Sequence, residues 1–310
     1  MTHAPQPADS PKGFAYALAA YGSWGLLPLY MKAVAHIPPT EVIAHRVIWS
    51  LPVAAAVLIQ QRRGADLRQA LGRPRLLAMA ALTAVLITIN WLIYVWSIGN
   101  DRALEAALGY YINPLFSICL GALLLGERLS RMQLVAVALA ALAVVIMTAE
   151  NGSLPAVAVG LTFSWGLYAF FKRSLPLGPN QGFTLEVMLL LLPALAYLAW
   201  LHSHGGGHFG GSWSDTLLLI GCGPVTAIPL MFYANGAKLL RLSTIGVLQY
   251  ITPTMIFLIA VWLFDEPFEG ARRIAFPMIW AALVIYSVTL IQSARARRRA
   301  ARLPTALRPD

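Results

Sequence analysis

Charged side chains are scarce in this sequence of 310 residues. Asp, Glu, Lys and Arg make up 12% of the chain, against roughly 25% in soluble domains. Hydrophobic residues make up 58%, and a chain of this length cannot hide so much apolar surface in a core surrounded by water. The composition therefore excludes a soluble Rossmann-type enzyme, a disulfide-rich scaffold and a disordered tail protein, and it indicates lipid as the solvent.

Cysteines are few, and the common catalytic motifs are missing. Cys119 and Cys222 lie in apolar runs without CxxC spacing, so neither a disulfide framework nor a zinc site is indicated. The sequence has no Gly-Lys-Ser/Thr phosphate-binding loop and no Gly-x-Ser-x-Gly nucleophile motif, which argues against an ATP-driven pump and a lipase-like enzyme. No aspartate lies within the apolar runs beyond Asp215 at the edge of one of them, so the clusters that a Mg²⁺-diphosphate site needs are missing. We therefore expect no enzyme activity, no cofactor and no metal site.

Ten long apolar runs are present, separated by short loops. A helix needs about 20 mostly apolar residues to cross the hydrocarbon core, because its backbone groups must be satisfied within the segment. The runs predict an all-α integral membrane protein with ten spans, at residues 13–31, 41–60, 75–98, 104–124, 132–149, 155–171, 182–201, 215–236, 243–264 and 274–292.

The distribution of Lys and Arg predicts the orientation of these spans. If the N-terminus is cytoplasmic, 18 of the 23 basic residues lie in cytoplasmic segments and 4 on the opposite side. This positive-inside bias predicts that both termini, the tail 1–12 and the basic tail 293–310, are cytoplasmic. Clusters beside membrane spans contact anionic lipid, so the net charge of +10 does not indicate a nucleic-acid partner.

The second half of the chain repeats the first. Ser23-Trp24-Gly25-Leu26 recurs as Ser164-Trp165-Gly166-Leu167 at an offset of 141, and further matches such as Tyr94 with Tyr233 and Glu127 with Glu266 follow at an offset of 139. The repeats cover residues 13–149 and 155–292, with five spans each. Because five is odd, the second copy enters the membrane from the other side. Such inverted repeats are typical of transporters that work by alternating access; a duplication that merely built a stable bundle is the alternative.

Few ionisable residues lie within the predicted spans, where each needs a partner or a function. Arg46 and Glu105 are at similar depth near the outer ends of their spans, so we expect them either to form an ion pair or to share a substrate with both charges. His45 aligns with Glu186 in the repeat. These two residues and Glu105 are candidates for proton coupling; capping of helix ends at the headgroup layer is the alternative for His45 and Glu186.

Uncharged polar and aromatic residues accompany these charges. Such a set suits a small amphipathic organic solute, whereas a bare metal ion would need more carboxylates. An interfacial aromatic belt is the alternative for the tyrosines, and Tyr110 fits it best. Pro114 and Pro253 lie inside spans and are candidate hinges. The candidate binding residues of this set are Asn90, Tyr94, Tyr111, Asn113, Tyr233, Gln249 and Tyr250.

Several motifs, in their order and spacing, resemble the EamA family of the drug/metabolite transporter superfamily, and in particular its RarD-type members. The resemblance covers residues 13–292. It is carried by HRVIWS from His45 to Ser50, Asn90-Trp91, LEAALGYYINP from Leu104 to Pro114, Gly126-Glu127-Arg128, RLST from Arg241 to Thr244, and Gln249-Tyr250-Ile251.

The resemblance implies a multi-pass transporter in the bacterial inner membrane that moves small organic metabolites, such as amino acids or drug-like compounds, most commonly outward. It also implies a central cavity lined by spans 1, 3, 4, 6, 8 and 9, which adds Trp24 and Trp165 to the candidate binding residues. The loop with His202, His204 and His208 and the basic tail depart from the family pattern. For this loop we favour a solvated segment over a metal site.

Two further alternatives stay open at this point. A membrane receptor or sensor could bind the same small molecule without moving it, although the sequence shows no soluble signalling domain. The tails contain no dimerisation module, but a face of the bundle could form a homodimer.

Overall fold

The computed structural model describes residues 9–126 and 128–302, which form helices and connecting loops without any strand. The helices are α1 (Pro11–Ala33), α2 (Pro39–Gln60), α3 (Gly64–Leu71), α4 (Pro74–Gly99), α5 (Ala103–Leu125), α6 (Arg131–Asn151), α7 (Ala156–Arg173), α8 (Pro179–Ser203), α9 (Trp213–Ala237), α10 (Leu242–Leu248), α11 (Ile251–Trp262) and α12 (Ala271–Arg302). Glu127 and the tail residues 1–8 and 303–310 lie outside the described part of the chain.

Within the described ranges, eight stretches are long and apolar enough to cross a membrane: α2, α4, α5, α6, α8, α9, the first part of α12, and the stretch Thr244–Trp262 formed by α10 and α11. Large apolar side chains such as Leu123, Leu192 and Trp262 are exposed on the protein surface, as expected where lipid replaces water. The chain is therefore a multi-pass membrane protein. Because α1 and α7 are not among the eight stretches, the count of ten spans stays a prediction.

Local sequence signals set the helix ends. Ser10 and Ser212 begin α1 and α9 by accepting a hydrogen bond from the backbone N–H three residues later, as N-cap residues do. Ser130 and Gln133 form a reciprocal capping box at the start of α6. Gly126 ends α5 with a φ of 67°, a left-handed conformation that favours glycine.

The structure adds details that the apolar runs did not predict. The short helix α3 follows α2, and the predicted ninth span is divided into α10 and α11. The last helix continues to Arg302, so the first part of the predicted basic tail extends the helix. The expected symmetric hinges also differ from each other: Pro114 lies within the continuous helix α5, whereas Pro253 lies in the first turn of α11, where its missing N–H costs no helical hydrogen bond.

The helices of the two halves pack against each other in matched pairs. Helix α1 packs on α9 and α11, and its counterpart α7 packs on α4 and α5. In the same way, α2 packs on α9, and α8 packs on α4. Three further contacts join counterparts directly: α2 with α8, α5 with α11, and α6 with α12. Two close contacts follow the sequence offsets. A Cβ at Gly25 would overlap the Met255 side chain, and one at Gly166 would overlap the Phe116 ring, so glycine permits the helices to approach at both places.

Candidate binding site around Arg46

Arg46 lies on α2, which packs against α4, α8 and α9. The residue is 4% exposed. Its guanidinium lies over the indole ring of Trp91 on α4, with 4.4 Å between Cζ and the ring centroid, a cation–π contact. Its Nε and Nη1 are buried without a hydrogen-bond partner among the residues that the structure describes.

Three polar groups from other helices lie within electrostatic range of the guanidinium. The Cys222 thiol on α9 and the hydroxyls of Tyr94 on α4 and Tyr110 on α5 are close enough to interact with it electrostatically. The ring centroids of Tyr94 and Tyr110 are 5.8 Å apart, and Trp165 on α7 meets Tyr110 edge to face at 6.4 Å. The Tyr94 hydroxyl is buried and has no partner within the described residues. The site therefore combines a cation, an unused hydroxyl and aromatic faces.

Asn90 lies beside this set but already has partners within the protein. Its Nδ2 donates to the Leu161 carbonyl at 3.3 Å and to the Ser164 hydroxyl at 3.0 Å, and its Oδ1 accepts from the Tyr110 hydroxyl at 3.3 Å. Asn90 thus joins α4 to α7 and orients Tyr110. Tyr110 packs inward against Trp165, in contrast to the expected membrane belt.

The expected ion pair between Arg46 and Glu105 is not formed. Glu105 Oε1 instead accepts hydrogen bonds from Nε and Nη2 of Arg102, at 2.8 and 2.6 Å. Arg102 precedes Glu105 by three residues, so the two side chains meet on one turn of helix, whereas Arg46 would have to reach Glu105 from another helix. Arg46 therefore has no acidic partner among the residues that the structure describes.

His45 and Glu186 lie in unlike surroundings, although the repeat aligns them. The His45 ring stacks on Phe209 at 4.8 Å, and its Nδ1 accepts from Trp49 Nε1 at 3.3 Å. The Glu186 carboxylate is 2.6 Å from Lys172 Nζ and accepts from the Tyr168 hydroxyl at 3.4 Å. Their role in proton coupling stays a prediction.

The other predicted binding residues form separate groups. Trp24 and Tyr233 are partly buried, and their ring centroids are 5.7 Å apart. Both rings pack with the ring of Tyr21. Tyr111 packs against α12, and its hydroxyl bonds Thr254 at 2.9 Å. Gln249 Nε2 donates to the Gly246 carbonyl at 3.0 Å. The Tyr250 hydroxyl and the Asn113 Oδ1 are buried without partners among the described residues.

The loop between α8 and α9 covers the first turns of α2, a role that its composition did not predict. The buried carboxylate of Glu41 accepts from the His208 backbone N–H at 2.6 Å and from His208 Nδ1 at 2.8 Å. His36 and Asp215 pair beside it at 2.9 Å, and Phe209 covers His45. The loop therefore contacts the bundle through His208 and Phe209, while most of its residues are exposed, as expected for a solvated segment.

Glu266, in the loop between α11 and α12, caps the start of α5. Its two carboxylate oxygens accept from the backbone N–H groups of Ala103 at 2.5 Å and Leu104 at 2.9 Å. Burial raises the pKa of the Glu266 carboxyl above its ordinary value, although the two N–H donors oppose this shift. This contact fixes the helix that carries Tyr110.

Sequence reasoning missed Trp91 and Cys222 as neighbours of Arg46, and His208 as the partner of Glu41. For Trp91, the motif Asn90-Trp91 was a usable signal, since it places an aromatic ring beside a predicted binding residue. No sequence signal could have found the other two contacts, because they join residues separated by more than 160 positions.

Comparisons with known proteins agree with the architecture. Residues 11–149 match the sequence model of the EamA-like transporter family. A protein of Vibrio cholerae described as an uncharacterized transporter is 40% identical over 97% of this chain and 100% of its own length. Protein RarD of Streptomyces exfoliatus is 41% identical over 92% of this chain and 91% of its own length.

A solved crystal structure with 20% sequence identity covers 90% of this chain and 98% of its own, with a TM-score of 0.58, and supports the fold alone. The family model and the relatives show that the chain belongs to the EamA-like transporter family. Within that family it is of the RarD type, a membrane transporter of the drug/metabolite type.

Proposed function

We propose that this chain is a secondary transporter of the bacterial inner membrane that exports small amphipathic organic metabolites by alternating access. The observation that carries the proposal is the buried group around Arg46, where helices of both halves meet. Its cation and unused Tyr94 hydroxyl can hold polar atoms of a solute, and the faces of Trp91 and Trp165 can pack against its apolar body.

The packing of the helices supports two inverted five-helix repeats. Exchanging α1 for α7, α2 for α8, α4 for α9, α5 for α11 and α6 for α12 reproduces the principal helix contacts. Helices related in this way can exchange roles when a central site opens to alternate faces. With five helices in each repeat, the two copies have opposite orientation, and α1 and α7 complete a bundle of ten spans.

Contacts near the helix ends support the grouping of the connections on two opposite faces, which places both termini on the same side. On one face, Lys32 pairs with Asp101 and His208 with Glu41. On the other face, the amide of Gln181 donates to Asp66 at 3.2 Å. The distribution of basic residues then supports the cytoplasm as the side of the termini.

The test is transport by the purified protein in proteoliposomes, with a panel of amino acids, common metabolites and chloramphenicol, with and without a pH gradient. Accumulation of one solute that depends on the protein would support a transporter, and dependence on the gradient would support proton coupling. Saturable binding without accumulation under either condition would contradict transport and favour a receptor.

A further inference from the structure

We propose that Arg46 binds the carboxylate of the transported solute, so that the substrates of this chain are small organic monocarboxylates with an apolar or aromatic body. This inference deepens the proposed transport function and rests on it for the solute being cargo. The positive charge of Arg46 is the starting observation. Its guanidinium is buried over Trp91, and neither Nε nor Nη1 has an acceptor in the described part of the protein.

No carboxylate of the protein is available to compensate this charge within the described ranges. The buried acids are Glu41, Glu105, Glu186 and Glu266. Each has a partner elsewhere, namely His208, Arg102, Lys172 and the start of α5, respectively. Glu105 pairs with Arg102 through Oε1 alone, and its Oε2 is buried without a hydrogen-bond partner among the described residues. A buried cation without a counter-charge is costly, so the site is complete only when an anion from outside the protein joins it.

The fold itself does not require a cation at this place. The offset of 141 that relates the two halves matches Arg46 with Val187, which is buried at the corresponding position of α8. Valine therefore satisfies the same packing in the other half. The charge in α2 is consequently an addition to the common architecture, and its chemistry points to a ligand.

The groups around Arg46 define the class of anion. A carboxylate matches a guanidinium in planar, charge-assisted hydrogen bonding, and the unused Tyr94 hydroxyl can donate a further hydrogen bond to it. The faces of Trp91, Tyr94 and Tyr110 provide apolar contact. Among the described residues Arg46 forms no salt bridge, and the polar groups within electrostatic range of its guanidinium, Cys222, Tyr94 and Tyr110, are a thiol and two phenols rather than acids that could pair with an ammonium group. A net charge of −1 on the ligand therefore balances the site, whereas a zwitterionic amino acid would leave its ammonium unpaired.

Phenylacetate and phenylacetamide are suitable probes, because they share their shape and differ in charge; phenylalanine adds the zwitterion. We would measure the thermal shift of the detergent-purified full chain and the uptake of labelled phenylacetate into proteoliposomes. The variants are Arg46→Gln and Arg46→Lys. Arg75→Gln is the matched control, because Arg75 is exposed at the start of α4.

Phenylacetate is expected to stabilise the wild type and Arg75→Gln, and phenylacetamide and phenylalanine to stabilise neither. Arg46→Gln should weaken the apparent affinity for phenylacetate about 10- to 150-fold, the range given by losing a hydrogen bond to a charged group. Arg46→Lys should retain part of the affinity, because it keeps the charge but loses the planar fork. Without ligand, Arg46→Gln should unfold at the same temperature as the wild type or higher, since it removes a buried charge that lacks a partner.

Three results would overturn the assignment: equal stabilisation by phenylacetate and its amide, unchanged phenylacetate binding by Arg46→Gln, or no response of the wild type to phenylacetate. Failure of the transport function has a different signature. Binding that depends on Arg46 without uptake would keep the carboxylate site and contradict transport. Uptake of a neutral or zwitterionic solute that Arg46→Gln leaves unchanged would keep transport and contradict the carboxylate site.

Discussion

Helices α2 and α8 pack against each other, and each buries a charge, but the two charges are treated in opposite ways. Glu186 on α8 is 1% exposed and is paired with Lys172 at 2.6 Å. Arg46 on α2 is as deeply buried and faces Trp91, with no acid of the described chain beside it. The charge of Glu186 is compensated within the protein, whereas the Arg46 guanidinium keeps hydrogen-bond donors that a ligand can use.

The difference teaches that burial alone does not identify a binding group in a membrane protein. Both charges are expensive to place in lipid, and both are equally conspicuous in the sequence. The presence of an opposite charge beside it distinguishes a buried charge that joins two helices from one that can bind a solute. Stability measurements on variants of the Lys172–Glu186 pair therefore provide the reference for what is inferred about Arg46.

The largest effect is expected when the compensated charge is broken. Lys172→Met should leave Glu186 buried without its cation and lower the free energy of unfolding by about 3–5 kcal/mol. Chemical unfolding in detergent measures this change. The double variant Lys172→Met/Glu186→Gln should recover most of the loss, because it removes both charges. A single variant as stable as the wild type would contradict the compensation of Glu186 by Lys172.

A smaller effect tests whether Asn90, next to Arg46, is structural. Asn90→Ala should lower the free energy of unfolding by about 1–3 kcal/mol, because the Leu161 carbonyl and the Ser164 hydroxyl lose a buried partner. Asn100→Ala is the control, since the exposed Asn100 bonds only its own helix, through the Trp96 carbonyl. If both variants were equally stable, Asn90 would return to the candidates for direct contact with the solute.

The docked loop extends the comparison to a second buried charge on α2, Glu41. His208→Ala removes one of the two hydrogen bonds to this carboxylate, and we expect a loss of about 1 kcal/mol together with faster hydrogen exchange of residues 204–212. His202→Ala is the control, because His202 is exposed. Exchange rates that do not change in His208→Ala would contradict a role of the imidazole and leave the backbone N–H of residue 208 and Phe209 as the contacts that hold the loop.

The smallest effect is expected for an exposed pair. Lys32→Ala breaks the contact with Asp101, in which both side chains are substantially exposed, and it should cost about 0.2–1 kcal/mol at low salt. High salt should reduce the difference from the wild type, because it screens exposed charges. A cost as large as that of Lys172→Met would contradict the distinction between buried and exposed pairs.

The periodic and repeated features of the sequence predicted much of the architecture. Apolar runs predicted the helices, and the helices pair in the way that the offsets of 141 and 139 suggest. Arg46 was recognisable as a charge within a span, and Asn90 and Tyr94 as neighbours on one helical face. Helices and neighbours on one helical face can be predicted because they depend on spacing along a single helix; the repeats and the binding roles stay predictions.

Partnerships between distant residues could not be predicted in the same way. Glu105 has a basic residue three positions away, and the sequence cannot tell whether that local partner or Arg46 is closer in space. His208 and Glu41 are 167 residues apart, so only the packing of α2 against α8 brings them together. The interruption between α10 and α11 was also hidden, because the apolar run continues through Gln249 and Tyr250.

Helices α1 and α7 are not among the eight stretches that are long and apolar enough to cross a membrane, and in the proposed ten-span topology this difference bears on the order of assembly during synthesis. Helix α1 is synthesised first, but it packs mainly on α9 and α11, which are synthesised late. In that topology α1 would enter the membrane before its main partners exist. Helix α7, in contrast, would meet α4 and α5 already in place, so the two halves would differ in how long each depends on the insertion machinery.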